Sequence, residues 1–154
     1  MQQKIPKHTT LIFTEDFPYF DGGRAVYSFE LSKIYFNYEK DIIVLTHLFT
    51  KDDLAFHRSL PFKVIRVPLY KSRWLRFVAT ALAFLRICTS YRIRKVYAVV
   101  WFKPGFITYL FSRFFNIEYY LMAFAYEVTA YRNPSLRRFI MKLTFKKAKL
   151  IFFM

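Results

Sequence analysis

Short apolar runs recur along the chain and are separated by longer segments that mix apolar and polar residues. Most of the runs are continuously apolar rather than alternating, which is typical of strands buried on both faces of a parallel sheet. The predicted strands are residues 10–14, 41–46, 63–67, 95–100, 118–123 and 148–153. Each run is only five or six residues long, so most of the chain lies in the segments between the predicted strands.

Those segments have the periodicity of amphipathic helices. In residues 24–37 and the residue that follows, the apolar stripe comprises Tyr27, Leu31, Ile34 and Tyr38. In residues 73–89 the predicted apolar side comprises Trp74, Phe77, Val78, Leu82, Leu85 and Cys88. Strands that alternate with helices predict a single α/β domain with a doubly wound parallel sheet and helices on both faces.

Two further helices are predicted in the second half. Residues 104–115 begin with Pro104 at a first-turn position. In the last helix, Asn133 is the predicted N-cap and Pro134 the first helical residue. The apolar face of that helix, expected against the sheet, comprises Leu136, Phe139, Ile140 and Leu143. Its cations on another side, four residues apart, are Arg138, Lys142 and Lys146.

Composition excludes several classes of protein. Of the 154 residues, 55% are apolar and 22% aromatic, enough for a core and unlike a disordered chain. The single cysteine, Cys88, cannot pair within the chain and is expected to be a small buried hydrophobe. No run reaches the roughly 18 apolar residues of a transmembrane helix, and the polar residues 1–10 do not resemble a signal peptide. We therefore expect a cytoplasmic protein. Because the chain ends within a predicted strand, we also expect it to be a fragment of a longer protein.

Positive charge is concentrated in the second half of the chain. Residues 1–70 carry a net charge of +1, whereas residues 71–154 carry +14 with only two acids. The strong positive charge of this half predicts an anionic partner. The candidates are nucleic acid, an acidic membrane surface and a phosphorylated ligand. The alternative is a basic surface that is merely solvated. Membrane contact is expected through Arg73, Arg76, Arg138, Lys142 and Lys146. Nucleic acid is disfavoured, because the aromatic residues occupy core-like positions.

The most distinctive local signal is the segment that joins the first strand to the first helix. It ends in Gly22 and Gly23, two of only three glycines in the chain. Glycine at such a junction lets a ligand approach the backbone, and the helix N-terminus favours an anion such as phosphate. A loop that needs two permissive residues for its turn is the alternative, and both interpretations remain open here.

Other candidate residues give weaker signals. His8, His47 and His57 lack the spacing of metal ligands. His47 follows a predicted strand, where catalytic residues of open α/β sheets lie, but a hydrogen-bonded loop histidine is the favoured interpretation. Asp52 and Asp53 are best explained as a solvated helix start. Glu127 stands just past a central strand, where either a ligand contact or a structural ion pair explains it.

Five segments, in order and across nearly the whole chain, resemble the N-terminal Rossmann-like domain of family 4 glycosyltransferases, which have the two-domain GT-B architecture. Residues 11–23 are similar to the first strand and Gly-Gly loop of that family. Residues 31–46 resemble its L-A…L…H-E-V-x-V-L-T segment, and residues 96–105 its D-V-V-H-A-H-x-x-x-x-G segment. Residues 119–127 and 147–153 are similar to P-x-V-x-T-x-H-G-x-E and A-D-x-I-I-A-V-S.

The resemblance implies the acceptor-binding half of an enzyme that transfers a sugar from a nucleotide-sugar to a lipid-linked or envelope glycan acceptor. It implies neither metal nor covalent cofactor, and a C-terminal donor domain with an E-x7-E motif that this sequence lacks. The resemblance implies that Gly22 and Gly23 approach the donor phosphate or the transferred sugar, and Arg24 and Glu127 are further candidate donor or acceptor contacts. Arg24 departs from the family, which commonly has a small or apolar residue there, so it is either an added phosphate contact or a surface residue. The sequence departs at Phe124, where the family has the histidine that contacts the transferred sugar. That departure leaves open a non-catalytic scaffold or regulatory domain.

Overall fold

The computed structural model describes residues 8–18, 22–48, 50, 52–124 and 135–154. Six parallel strands form one sheet in the order β3-β2-β1-β4-β5-β6. The strands are β1 (Thr9–Thr14), β2 (Ile42–Leu48), β3 (Lys63–Pro68), β4 (Ile93–Val99), β5 (Glu118–Ala123) and β6 (Leu150–Phe153). All six predicted strands are confirmed to within two residues at each end. The four inner strands, β2, β1, β4 and β5, are mostly buried because both faces of the sheet are covered there, whereas the edge strand β6 is largely exposed.

Within the described residues, five α-helices cover the two faces of the sheet. They are α1 (Gly23–Glu39), α2 (Asp52–Arg58), α3 (Arg73–Ser90), α4 (Phe106–Phe115) and α5 (Leu136–Lys147). Helices α1 and α2 pack on the face formed by Ile12, Val44 and Tyr97. Helices α3, α4 and α5 pack on the opposite face, which includes Phe13 and Leu121. The predicted doubly wound α/β domain is therefore confirmed.

Aromatic side chains fill both layers of the core. On the α1 face, the ring of Tyr97 lies with its centroid 4.3 Å from that of Tyr35 and 4.7 Å from that of Tyr120. On the opposite face, Phe84 of α3 contacts Phe13 of β1, with centroids 5.5 Å apart. Aromatic pairs at these distances stabilise the core beyond what the burial of their apolar area contributes. The aromatic side chains therefore lie largely in the core.

The predicted apolar stripe of α1 is wrong in part: its first two residues, Tyr27 and Leu31, are half-buried against the core, but the other two are not. The residues of α1 that are buried against the sheet are Ala25, Ser28 and Ser32, whereas Ile34 and Tyr38 are exposed. Small side chains let the helix lie close to the strands, and the larger aromatic residues extend to either side of the line of contact. The hydroxyl oxygen of Ser28 lies 2.9 Å from that of Thr14 on β1. A buried stripe of small polar residues does not stand out in a hydropathy pattern.

The predicted apolar sides of α3 and α5 are also wrong in part. Helix α3 buries Thr80, Phe84, Ile87 and Cys88, and it exposes Trp74, Val78 and Leu82. Helix α5 buries Thr144 and exposes Leu136 and Phe139, which its apolar periodicity places against the sheet. Both helices carry apolar residues on more than one side. The periodicity of apolar residues therefore does not decide which side faces the sheet.

Two helix starts differ from the prediction. Pro104 lies inside a π-helical turn, Trp101–Gly105, and α4 begins after it at Phe106. The last helix is capped by Ser135, whose Oγ accepts a hydrogen bond from the N–H of Arg138 at 3.2 Å. The predicted cap, Asn133, and Pro134 lie outside the described residues. Serine at this position satisfies one of the unpaired N–H groups of the first turn.

Candidate functional site

The strand order creates a crevice at the carboxyl edge of the sheet. β1 lies between β2 and β4, and the chain leaves β1 toward α1 on one face, whereas the turn after β4 leads to α4 on the other face. The loops after β1 and β4 therefore separate from each other at this edge. In open α/β sheets, ligands bind outside the carboxyl ends of the strands where the order reverses in this way.

An ion pair crosses the crevice. Nζ of Lys103, in the turn after β4, lies 2.5 Å from Oε1 of Glu15, in the loop after β1. The backbone oxygen of Glu15 also accepts a hydrogen bond from Thr46 on β2, at 3.3 Å. Glu15 thus ties together the ends of three neighbouring strands. Both partners of the ion pair are mostly shielded from water, which strengthens their attraction.

A second ion pair lies at the start of α1. A guanidinium nitrogen of Arg24 is 2.7 Å from Oδ2 of the buried Asp16. Burial raises the pKa of the Asp16 carboxyl above its ordinary value, and the nearby Arg24 opposes that shift. A cation in the first turn is unfavourable beside the helix dipole, and the carboxylate offsets this cost. The guanidinium of Arg24 is therefore already paired with an anion of the protein itself.

The two glycines at the N-terminus of α1 are not required by the backbone. Gly22 is the N-cap residue in an extended conformation, with φ of 165° and no side-chain capping bond. None of the three glycines, all of which lie among the described residues, has a left-handed φ. A β-carbon built on Gly23 would meet no atom within 4 Å among the described residues. The space beside Gly23 is therefore open to a ligand or a side chain.

The turn after β4 is strained. Val100 has φ of 91° and ψ of 126°, a conformation that is a rare outlier for a β-branched residue. The π-helical turn follows immediately, and the N–H of Gly105 donates to the carbonyl of Val100 at 3.2 Å. A β-carbon on Gly105 would lie 2.8 Å from Cδ2 of the buried Leu121. This geometry turns Lys103 back toward Glu15. The sequence signals for this part of the site are Lys103, Pro104 and Gly105 directly after a strand.

Arg66 of β3 holds the loop after β1 in place. Its two terminal nitrogens donate to the carbonyl of His47 at 3.0 Å and to the carbonyl of Pro18 at 2.7 Å. Its guanidinium also lies 5.9 Å from the ring centroid of Phe17. Arg66 is a positioning residue that sequence reasoning missed, because a lone arginine in a strand has no recognisable pattern.

His47 lies inside β2 and not after it. The side chain is buried, and Nε2 is 3.2 Å from the hydroxyl oxygen of Thr80 on α3. Burial lowers the pKa of His47, so the ring is neutral at pH 7. The favoured interpretation, a hydrogen-bonded structural histidine, holds in a strand rather than a loop. Cys88 is buried as well, and burial raises its pKa to about 12, which makes the thiol inert.

The remaining predicted residues lie in different places. Phe124 follows β5 and packs against the core on the α1 side. Glu127 lies outside the described residues. Asp52 and Asp53 begin α2, as expected. The predicted surface cations Arg73, Lys142 and Lys146 are exposed, and Arg138 is half-buried. Arg76 donates from Nε and a terminal nitrogen to the carbonyl of Tyr70, at 3.2 and 2.8 Å, so its guanidinium stabilises the turn before α3.

Two concave surfaces of the described residues lie away from the ends of β1 and β4. One, of about 450 Å³, is at the amino edge between Thr10, Glu39 and Lys95. Another, of about 610 Å³, lies between β3 and α3. Within the described ranges, no group of three or more His, Cys, Asp or Glu side chains could hold a metal ion. No helix in the part of the chain that the structure describes is long and apolar enough to cross a membrane.

The sheet order defines the class of fold: this is a Rossmann-like α/β domain, in which the strand order reverses between β1 and β4. The sequence matches no protein-family model. A search of curated proteins finds no match either.

Proposed function

We propose that this domain is the acceptor-side half of a nucleotide-sugar glycosyltransferase that acts on a lipid-linked or envelope glycan. The observation that carries the proposal is the crevice between the ends of β1 and β4, with the N-terminus of α1 and the open space at Gly23 beside it. The five segments that resemble family 4 glycosyltransferases, in the same order along the sequence, support the same function. The nucleotide-sugar would be held by a C-terminal domain of the kind that the resemblance implies.

The crevice is suited to a phosphorylated or polyhydroxyl ligand. Glycine at the first position of α1 leaves the N–H groups of the first turn approachable, and these favour negative charge. Lys103 and Arg24 are held at the rim by Glu15 and Asp16. A phosphate that enters would compete with the two carboxylates for these cations. The carboxylates hold the cations in position while the crevice is empty and accept hydroxyl hydrogen bonds when a sugar is bound.

A non-catalytic scaffold is the second candidate, and one residue favours it. The family histidine that contacts the transferred sugar corresponds to Phe124, which cannot donate a hydrogen bond. A scaffold would keep the fold and the crevice without turnover. The two candidates differ in whether any sugar is transferred.

The test is sugar transfer by the complete gene product, from a panel of radiolabelled nucleotide-sugars to a membrane lipid extract. We expect transfer from at least one donor, and none from residues 1–154 alone, because catalysis needs donor and acceptor held in one geometry. No transfer from any donor by a folded complete product would favour the scaffold.

Gly23→Val tests the crevice itself. The β-carbon of valine would meet no atom within 4 Å among the described residues, so we expect the fold to persist while transfer falls at least tenfold, about the cost of misplacing a substrate. Asn37→Val places the same side chain at an exposed position near the other end of α1 and serves as the matched control. Full activity of Gly23→Val would remove the crevice from the proposal.

A further inference from the structure

The two helix layers differ sharply in charge. Helices α3, α4 and α5 together carry nine Lys and Arg residues and no Asp or Glu. Helices α1 and α2 carry three Lys and Arg residues and four Asp and Glu. Because the two sets cover opposite faces of the sheet, the charge asymmetry along the sequence becomes an asymmetry between faces. An anionic surface is attracted to the α3 side of the molecule.

Helix α3 also exposes a set of apolar side chains toward solvent. They are Trp74, Leu75, Val78 and Leu82. We call this set the α3 outer face. Their spacing of i, i+1, i+4 and i+8 places them on one side of the helix, opposite the side that packs on the sheet. Trp74 is 79% exposed, which is unusual for a tryptophan in a folded protein.

An apolar groove adjoins the α3 outer face. It lies between α3 and the edge strand β3 and has a volume of about 610 Å³. Its apolar lining includes Ile65, Val67, Ala79 and Ala83. Leu82 belongs both to this lining and to the α3 outer face. Lys63 and Arg86 also line the groove, so its apolar surface lies next to positive charge.

We propose that the α3 outer face docks on an anionic lipid bilayer, with Trp74, Leu75, Val78 and Leu82 inserted among the headgroups. Tryptophan and leucine beside arginine and lysine are the side chains that favour this interface. Lys71, Arg73 and Arg86 lie near the inserted residues and contact the lipid phosphates. The docking deepens the proposed function, since a lipid-linked acceptor is met on such a surface.

Charge favours a membrane over a second copy of the chain as the occupant of this surface. Two copies that met through the α3 outer face would bring two helix layers with nine cations each together, and no acid on those helices would offset the repulsion. An anionic bilayer offers the opposite charge over the whole layer. Each Lys or Arg near such a surface contributes on the order of a fivefold gain in binding.

Tryptophan fluorescence reports the docking directly. Of the two tryptophans, Trp74 is exposed and Trp101 is only 1% exposed, so a change at the vesicle surface comes from Trp74. With vesicles of equal parts phosphatidylglycerol and phosphatidylcholine at low salt, we expect emission to shift to shorter wavelengths and brominated lipid to quench it. Pure phosphatidylcholine should give little binding. Trp74→Phe should abolish the shift and retain sedimentation with the anionic vesicles.

Matched variants on the two faces separate docking from general effects of surface change. Leu75→Ser, Val78→Ser and Leu82→Ser together should weaken binding at least about tenfold through the loss of buried apolar area. Val26→Ser, Ile34→Ser and Tyr38→Ser remove the same kind of exposed side chain from α1 on the opposite face and should leave binding unchanged.

Cations are tested in the same way, with circular dichroism used to confirm that every variant is folded. Arg73→Gln with Arg86→Gln should weaken binding about 25-fold at low salt. Lys33→Gln with Arg58→Gln, on the helices of the opposite face, should have little effect. Added salt should reduce the binding of the wild type.

The proposal fails if anionic vesicles leave the emission of Trp74 unchanged, or if the α1 variants weaken binding as much as the α3 variants. A shift that grows with protein concentration in the absence of vesicles would instead assign the α3 outer face to a second copy. Neither outcome depends on sugar transfer. Absence of sugar transfer by the complete gene product, in a protein that still binds vesicles, would overturn the proposed function alone.

Discussion

Asp16 shows how a single residue at the crevice balances opposing forces. Its carboxylate is buried, and burial outweighs the attraction of Arg24, so its pKa lies above the ordinary 3.8. The folded protein therefore binds a proton at this site more tightly than the unfolded chain does. A pair of this kind fixes Arg24 at the start of α1 and adds little to stability at neutral pH.

We predict that Asp16→Asn changes how stability depends on pH. Because the pKa is raised on folding, the contribution of Asp16 to the free energy of unfolding is greatest at low pH and falls as pH rises from 3.8 through the folded pKa. The difference between wild type and Asp16→Asn, measured by urea unfolding from acid to neutral pH, should decline across that window and then level off. A difference that rises with pH would mean that the ion pair with Arg24 outweighs burial.

At the scale of elements, the N-termini of α1 and α4 use glycine for different reasons. Beside Gly23 there is open space, and the backbone does not need glycine. At Gly105, a β-carbon would lie 2.8 Å from Leu121 Cδ2 and 3.3 Å from Thr144 Cγ2, and both of these residues are completely buried. Gly105 allows the turn after β4 to pack against β5 and α5.

The two glycines should therefore respond oppositely to alanine. Gly23→Ala should raise the free energy of unfolding by about 0.4–1 kcal/mol, because alanine restricts the unfolded chain more than glycine and fits the helical backbone at the first residue of α1. Gly105→Ala should lower it by about 1–3 kcal/mol, because Leu121 has no room to move. Chemical denaturation of both variants beside wild type is the measurement. A destabilised Gly23→Ala would show that the start of α1 is more crowded than its surroundings indicate.

At the scale of the whole molecule, charge is divided between the two faces of the sheet. On α5, Arg138, Lys142 and Lys146 follow at four-residue spacing, so like charges are neighbours along the helix. On α1, Lys33 instead pairs with Glu30 at 2.9 Å. The repulsion on the α5 side costs stability, and an anionic partner would relieve it.

Reversing one charge on each face should have opposite effects. Lys142→Glu turns two repulsive pairs into attractive ones and should raise the free energy of unfolding by about 0.5–1 kcal/mol at low salt. Lys33→Glu removes the ion pair with Glu30 and should lower the free energy of unfolding by about 0.5 kcal/mol. Both effects should shrink as salt is added. Equal responses of the two variants in thermal or urea unfolding would mean that charge is not divided by face.

Much of the architecture was predictable from local pattern, and much of the site was not. The strands were found because a parallel strand covered on both faces is an unbroken apolar run, as in residues 118–123. Gly22 and Gly23 were found because glycine is rare in this chain. Glu15, Asp16, Arg66 and Lys103 were missed as partners, because Glu15 and Lys103 are 88 residues apart and meet only when β1 and β4 become neighbours.

The sequence by itself determined the six strands, the alternation with helices, the basic second half and the glycine pair after β1. Each is a property of neighbouring residues or of composition, which the chain carries before it folds. Tertiary structure decided which side of each helix faces the sheet. Helix α3 has apolar residues on both sides, and only packing chose Phe84 and Ile87 for the core and left Trp74 in water. It also turned the charge of the second half into a charge on one face, because α3, α4 and α5 all lie on the same side of the sheet.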